Sequence, residues 1–436
     1  MRQDHFKVAF FGSMANNCYL AASQMHALNM EVVYIRDHVD KFAISQPIWE
    51  DHPMTLSYDD LNESSQWSSE RWDQIAQETG WKAPNWLLDP LQCENESEPD
   101  FRLFGNDSAR FNYTPAPADH FRKILSIMQS CDLVFVSNVY AIILAMMSNR
   151  PYIICPAGGE LMVGSGLITG KGAVGAVLKQ QRRLMIKGFA ASKAVLTNTS
   201  FIQHRSLTGG WWNLIKNFGG CRFKRVSLPF SITPQLATSQ KKSLLREMTN
   251  QLELKPITTE FCLFVPSRID YRWKGQNIIA DALFHHPQRD RFTLIVSGWG
   301  ADYLHFCEEY KASMHNIRVM NCVISKPLLR NMYRATDLTI DQIMLGHIGT
   351  AAREAAAVGA PVLAWINENS LLPSVRPEMP VLNAHSKAEV ECWLTDIAEK
   401  KIDLLQEGKR AQDWIKKYAS PETMAQELIK VIEDST

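Results

Sequence analysis

DLTIDQIMLGHIGTAAREAAAVGAPVLAW, residues 337–365, decides the fold of this chain. DLTID (337–341) is a short run of aliphatic and β-branched residues, the pattern of a strand buried on both faces. A glycine-bearing loop follows, then an alanine-rich helical segment over about 348–358, then Gly359 and a second apolar run, PVLAWI (361–366). Strand, helix and strand at this spacing make one βαβ unit of a parallel sheet.

The alternation continues on the N-terminal side. FCLFVPS (261–267), FTLIVSG (292–298) and IRVMN (317–321) read as strands. GQNIIADALF (275–284) and segments near 301–314 and 325–335 read as helices. An earlier series has strands at KVAFFGS (7–13), EVVYI (31–35), DLVFVS (132–137), PYIIC (151–155) and KAVLTN (193–198). Asn16 and Asn17 are N-cap candidates for the helix after the first of these. The polar stretch 232–256, with Pro234, reads as a linker. The expected architecture is therefore α/β, with two Rossmann-like domains facing each other across a cleft. The expected divisions are 1–232, 256–413 and a closing helical tail, 414–436.

The chain has 436 residues, with 46 Lys+Arg against 46 Asp+Glu. The length suits two domains, and the neutral total excludes a protein that coats nucleic acid with its whole surface. The total is an average of unlike parts. Residues 41–120 carry 15 acids, 5 bases and five tryptophans (49, 67, 72, 81, 86), and read as a surface insertion with short helices. Those rings serve either as local core or as a binding surface. Residues 161–230 carry 11 Lys/Arg and no acid. Within them, 171–226 interleaves cations with aliphatic and aromatic residues, which suits either a helix lying on an anionic membrane or a buried helix with one solvated basic face. Nine scattered cysteines without a CxxC pair point to a reducing compartment rather than a disulfide framework or a zinc site. No apolar stretch has the length of a signal core or a membrane span, so a cytoplasmic protein is expected, peripheral at the inner face of a membrane if the basic segment docks there.

Two segments carry chemistry. In PSRIDYRWKGQNIIADAL (266–283), Arg268 and Lys274 lie in the loop between a strand end and a helix start. An open α/β sheet binds its ligands at that place, and cations beside a helix N-terminus suit a diphosphate. In 337–365, the backbone N–H groups of Gly349 and Thr350 open a helix. Glu354, on its first turns, either accepts hydrogen bonds from vicinal ribose hydroxyls or partners the helix dipole.

These segments resemble retaining GT-B glycosyltransferases of glycosyltransferase family 4. Arg268 and Lys274-Gly275 match that family's Arg and Lys-Gly pair, and Glu354 with Gly359-Ala360-Pro361-Val362 matches the second Glu of its Glu-x7-Glu motif and the strand beyond. Gly349 matches the glycine after the first motif Glu, but that Glu, a donor-sugar contact in the family, is Gly346 here. Asp341 or Gln342 is placed to substitute. Gly12-Ser13 resembles the family's first glycine-rich loop, and Gly158, Gly159 and Glu160 in CPAGGELM match the loop facing sugar and acceptor. Gly298, Asn321 and His347 complete the candidate donor set, with base contacts expected from backbone around Asn321 to Ile324. The tail resembles the family's closing helices, the last of which crosses back to the first domain.

The resemblance implies transfer of a sugar from a nucleotide-sugar to a glycan or lipid-linked acceptor, in surface polysaccharide or glycoconjugate synthesis, with retention at the anomeric carbon. Arg268 and Lys274 would be the catalytic cations. No metal and no other cofactor is expected: the chain holds no Asp-x-Asp, and cations and helix dipoles would stabilise the leaving diphosphate. No catalytic histidine and no nucleic-acid partner is expected. The alternatives are a nucleotide-sugar epimerase on the same fold and a degenerate member that binds sugar or a partner.

Overall fold

The computed structural model describes residues 6–12, 16–37, 45–57, 69–90, 118–156, 172–196, 223–224, 228–311, 315–367 and 377–434. In the first half the strands are β1 Lys7–Phe11, β2 Glu31–Ile35, β3 Thr55–Ser57, β4 Leu87–Leu88, β5 Leu133–Val136, β6 Tyr152–Ile154, β7 Ala194–Leu196 and β8 Phe223–Lys224. In the second half they are β9 Phe261–Val265, β10 Phe292–Val296, β11 Ile317–Val319, β12 Cys322–Ile324, β13 Leu338–Ile340, β14 Val362–Ala364 and β15 Leu382–Asn383.

The chain forms two compact units. The first comprises Met1–Ile48, Gln66–Pro229 and Pro421–Thr436; the second comprises Trp49–Ser65 and Phe230–Ser420. The first holds a parallel sheet in the order β4-β2-β1-β5-β6-β7-β8. The second holds a parallel sheet in the order β11-β10-β9-β13-β14-β15. The apolar runs are strands because helices cover both faces. Val8 to Phe11, Leu133 to Val136 and Leu338 to Ile340 are all buried, which no alternating strand would show. The last helix, Pro421–Glu433, packs on Asn17–Ala27 in the first unit, so the chain crosses back as expected. Only this helix does so. The preceding one, Leu404–Tyr418, packs against Thr350–Ala357 in the second unit, and the crossing comes at 421 rather than 414.

Three other expectations change. The stretch expected to link the domains contains a 14-residue helix, Thr238–Gln251, packed on Lys326–Ala335. Its buried residues are only Lys241, Met248 and Thr249, so it lacks the apolar stripe by which a helix is read. The acidic region 41–120 is not one surface insertion. Residues 49–57 join the second unit, where β3 pairs antiparallel with β12, while Leu87–Leu88 extends the first sheet beside β2. Trp49 and Trp72 are buried, and Trp86 stacks on Tyr19 at 5.2 Å, so these rings are core; Trp67 lies outside the described residues. Asn16 is not a side-chain cap: it adopts φ 55° and donates its Nδ2 to the Gln46 carbonyl at 2.7 Å.

Helix Leu404–Tyr418 approaches the second sheet through Gly408. A Cβ there would lie 2.1 Å from the Gly359 carbonyl oxygen, a backbone atom held in a tight turn. Gly408→Ala should therefore destabilise the protein by about 1–3 kcal/mol in chemical denaturation, although alanine is the better helix former. An unchanged or raised midpoint would show that the crossing is not so tight.

Candidate functional site

In the second sheet the chain leaves β9 to build β10 and β11 on one side, then returns to build β13, β14 and β15 on the other. The loops leaving β9 and β13 therefore start side by side at adjacent strand ends, while the connections they open lead to opposite edges of the sheet. This is the switch point where open α/β sheets hold ligands. Arg268 and Lys274 lie on the first loop; Gly346, His347 and Gly349 lie on the second.

Side chains brace the first loop. Gln276 donates its Nε2 to the Arg268 carbonyl at 2.7 Å and accepts from the Asp270 N–H at 3.0 Å. The Asp270 carboxylate accepts from the Trp273 N–H at 3.1 Å and from Arg268 Nε at 3.3 Å. The Arg268 side chain remains 46% exposed. Gly275 takes φ +78°, and a Cβ on it would lie 2.8 Å from Ile343 and 2.9 Å from Met344. The two loops thus meet at a glycine, and the Ile343 N–H donates to the Lys274 carbonyl at 3.2 Å.

Lys274 is the side chain on which this junction converges. Its Nζ donates to Gln342 Oε1 at 2.6 Å and lies 3.7 Å from Asp341 Oδ1. Gln342 Nε2 in turn donates to the His347 carbonyl at 2.7 Å. Asp341 has a fully buried side chain, and neither carboxylate oxygen has a hydrogen-bond partner among the described residues. A Cβ on Gly349 would lie 2.3 Å from Asp341 Oδ2, so the glycine at the helix start makes room for this carboxylate. Burial pushes the His347 imidazole down to about 4, so the ring is neutral near pH 7. Its Nδ1 faces the Leu345 carbonyl at 3.1 Å. Thr350 begins the helix Thr350–Ala357, whose first N–H groups open beside this loop. Asp341 and Gln342 do not act here as exposed substitutes for the motif carboxylate at Gly346. Both are buried and engaged beneath Lys274.

The remaining sequence candidates have other surroundings. A Cβ on Gly298 would lie 2.0 Å from the Met320 carbonyl, so Gly298 joins the ends of β10 and β11; Asn321 is exposed just beyond β11. Glu354 is ion-paired with Lys326 and accepts from the Tyr333 hydroxyl at 3.3 Å, so both carboxylate oxygens are already engaged. Glu50, from the helix Pro47–Asp51, is buried beside this pair. Burial pushes its carboxyl up to about 7, with Lys326 opposing. For Lys326, burial works against the ammonium, but Glu354 and Glu50 outweigh it and hold the group above the usual lysine value. No sequence pattern pairs Glu50 with Lys326; the β3–β12 ladder brings them together.

In the first unit, Gly12 ends β1 at φ +121°, and a Cβ on it would lie 2.2 Å from the Ser137 carbonyl, at that sheet's own switch point. Ser13, Gly158, Gly159 and Glu160 lie outside the described residues. The basic segment is represented by the helix Gly172–Ala191. Met185 and Phe189 are buried in the core, whereas Lys179, Arg183 and Lys187, spaced at i, i+4 and i+8, are exposed. Among the described residues, no helix is long and apolar enough to cross a membrane, and no group of three His, Cys, Asp or Glu side chains could hold a metal ion.

No protein-family model matches the chain, and no curated protein matches it. Solved structures do. HepE from Anabaena, in complex with UDP-glucose, has a TM-score of 0.60 at 14% identity, covering 99% of this chain and 100% of that one. Sucrose-phosphate synthase from Thermosynechococcus elongatus has a TM-score of 0.59 at 12% identity, covering 99% of each. The trehalose-6-phosphate synthase OtsA has a TM-score of 0.51 at 11% identity, over 98% of this chain and 99% of that one. The chain shares with them the two-domain α/β fold known as GT-B.

The buried Glu50 predicts a pH dependence. Its carboxyl titrates higher in the fold than the ordinary value of 4.5, so the folded state binds the extra proton. Stability from this group is greatest below pH 4.5 and is lost as pH rises towards 7. Glu50→Gln should raise the unfolding free energy at pH 8 by up to about 3 kcal/mol and leave it nearly unchanged at pH 4.5. Equal shifts at both pH values would show that Glu50 does not titrate in this way.

Proposed function

We propose that the chain is a glycosyltransferase that takes its sugar from a nucleotide-sugar held by the second unit. The observation that carries this reading is Lys274, supported from below by Gln342 and Asp341 and placed beside a glycine-opened helix at the switch point. On this fold HepE binds UDP-glucose. One fixed cation, one exposed arginine and the first N–H groups of a helix together match a diphosphate.

In the proposed reaction the bond between the anomeric carbon and the diphosphate oxygen breaks as an acceptor hydroxyl attacks the same face. Arg268 and Lys274 offset the charge growing on the leaving diphosphate, one of whose oxygens takes the acceptor proton. The proposal therefore needs neither a divalent ion nor a protein base. The neutral His347 orders the loop through its Nδ1. Glu354 has a positioning role through Lys326 and Tyr333, and reaches ribose only by exchanging one of those partners. The acceptor is a glycan or glycolipid in surface glycoconjugate synthesis, and the basic face Lys179-Arg183-Lys187 docks the enzyme on the inner face of an anionic membrane. A second reading, a degenerate protein that binds sugar without transferring it, is favoured by Gly346 and by the engagement of Glu354.

A thermal-shift and hydrolysis panel of UDP-, GDP-, ADP- and dTDP-sugars separates these readings. Transfer predicts stabilisation by one nucleotide class and slow donor hydrolysis; stabilisation by glycans alone supports the degenerate reading. Lys274→Ala and Arg268→Ala should each lower kcat by about a hundred- to a thousandfold. Gln342→Ala should mainly raise KM for the donor. Full activity in both cation variants would end the diphosphate assignment. In flotation assays the protein should rise with anionic liposomes at low salt and be released at high salt. Failure to float at low salt would remove the membrane role and leave the transferase reading untouched.

A further inference from the structure

A cavity of about 710 Å³ lies in the second unit, at the end of β9 and β13 opposite the Lys274 loop. It opens between the helix Thr238–Gln251, the loop 256–260 and the starts of those two strands, at Phe261-Cys262 and Asp337. The five residues of β9 separate it by about 17 Å from the loop that carries Arg268 and Lys274. Its size is that of a small-molecule site.

The lining combines an apolar floor, including Leu245, Ile257 and Ala335, with three cations from one helix, Lys241, Lys242 and Arg246. Lys241 is the informative one. The residue as a whole is 8% exposed, and no hydrogen bond or ion pair engages its ammonium among the described residues. Burial pushes this ammonium down from its ordinary range while Asp337 opposes, and the cavity beside it leaves room for an anion that would favour the charged form. The two acids at the cavity do not supply a full partner. Asp337 accepts the Cys262 N–H at 2.8 Å, and burial pushes its carboxyl up. Glu260 is bound by Arg291 at 2.5 Å and by Lys400 at 3.1 Å. The cavity is therefore cationic overall, with room and apolar surface for an organic body.

We propose that this cavity is a binding site for a small organic phosphate, separate from the donor site, with Lys241 as the buried anchor and Lys242 and Arg246 closing on the same dianion. The apolar floor takes the organic part, which distinguishes such a ligand from a bare ion. Nothing in the proposed transfer reaction uses these residues.

The test uses the full chain carrying Arg268→Ala and Lys274→Ala, which silences the other cationic pocket and makes the result independent of the transferase reading. Phenyl phosphate is titrated by calorimetry at constant ionic strength, with inorganic phosphate and phenol as companion probes. The expected result is saturable binding of phenyl phosphate, tighter than that of inorganic phosphate, with no binding of phenol. Adding Lys241→Met should weaken it at least tenfold. If that variant is too unstable, Lys242→Met with Arg246→Met, at exposed positions, should produce a comparable loss. Protection of Lys241 from acetic anhydride by phenyl phosphate, read by peptide mass spectrometry, gives a second measure. No saturable binding, or binding unchanged by removal of these cations, would overturn the proposal. Inorganic phosphate binding as tightly as phenyl phosphate would overturn the organic-ligand assignment.

Discussion

The C-terminal strand ends of the second unit's sheet depend on backbone approaching backbone more closely than a Cβ permits. Gly275 meets Ile343 and Met344, Gly298 meets the Met320 carbonyl, and Gly300, at φ +123°, lies where a Cβ would be 2.2 Å from the Ile269 carbonyl. These contacts tie together the loops of four neighbouring strands. A parallel sheet sends its outgoing loops to one edge, and close contact between them fixes the positions of the side chains they carry. The position of Lys274, and hence the proposed chemistry, follows from this packing.

The same packing explains the buried polar layer beneath the lysine. Asp341 and Gln342 follow β13 directly and point under the junction, where Asp341 supplies charge and Gln342 transmits the position of Lys274 to the His347 carbonyl. The Lys326–Glu354 pair forms a second layer beside it, reached by Glu50 through the strand pairing of β3 with β12. In both layers a carboxylate that looks like a ligand contact in the sequence is part of the support for a cation. Removing one member of such a pair leaves a buried charge without its partner, which makes each layer cooperative.

The periodicity of the chain showed most of the sheet elements, because strands buried on both faces are written as unbroken apolar runs. The placement of Arg268, Lys274 and Gly349 at strand-to-helix junctions was legible for a similar reason: a junction is set by the residues next to it. The helix Thr238–Gln251 was not legible, because it buries a lysine, a methionine and a threonine rather than an apolar stripe. The destination of residues 49–57 was hidden as well, since β3 is three residues long and its partner lies in the other half of the chain.

The amino-acid order by itself determined two runs of βαβ units, and with them the α/β class and the strand ends at which charge could gather. Local propensity and burial period settle such features within a few neighbouring residues. Tertiary structure alone decided which carboxylates are available. Asp341 and Glu354 are committed to lysines, Glu50 is buried against one of them, and Lys241 faces a cavity with no partner of its own among the described residues. Burial and pairing across distant segments set the free energy of a charge, and sequence spacing carries no record of either.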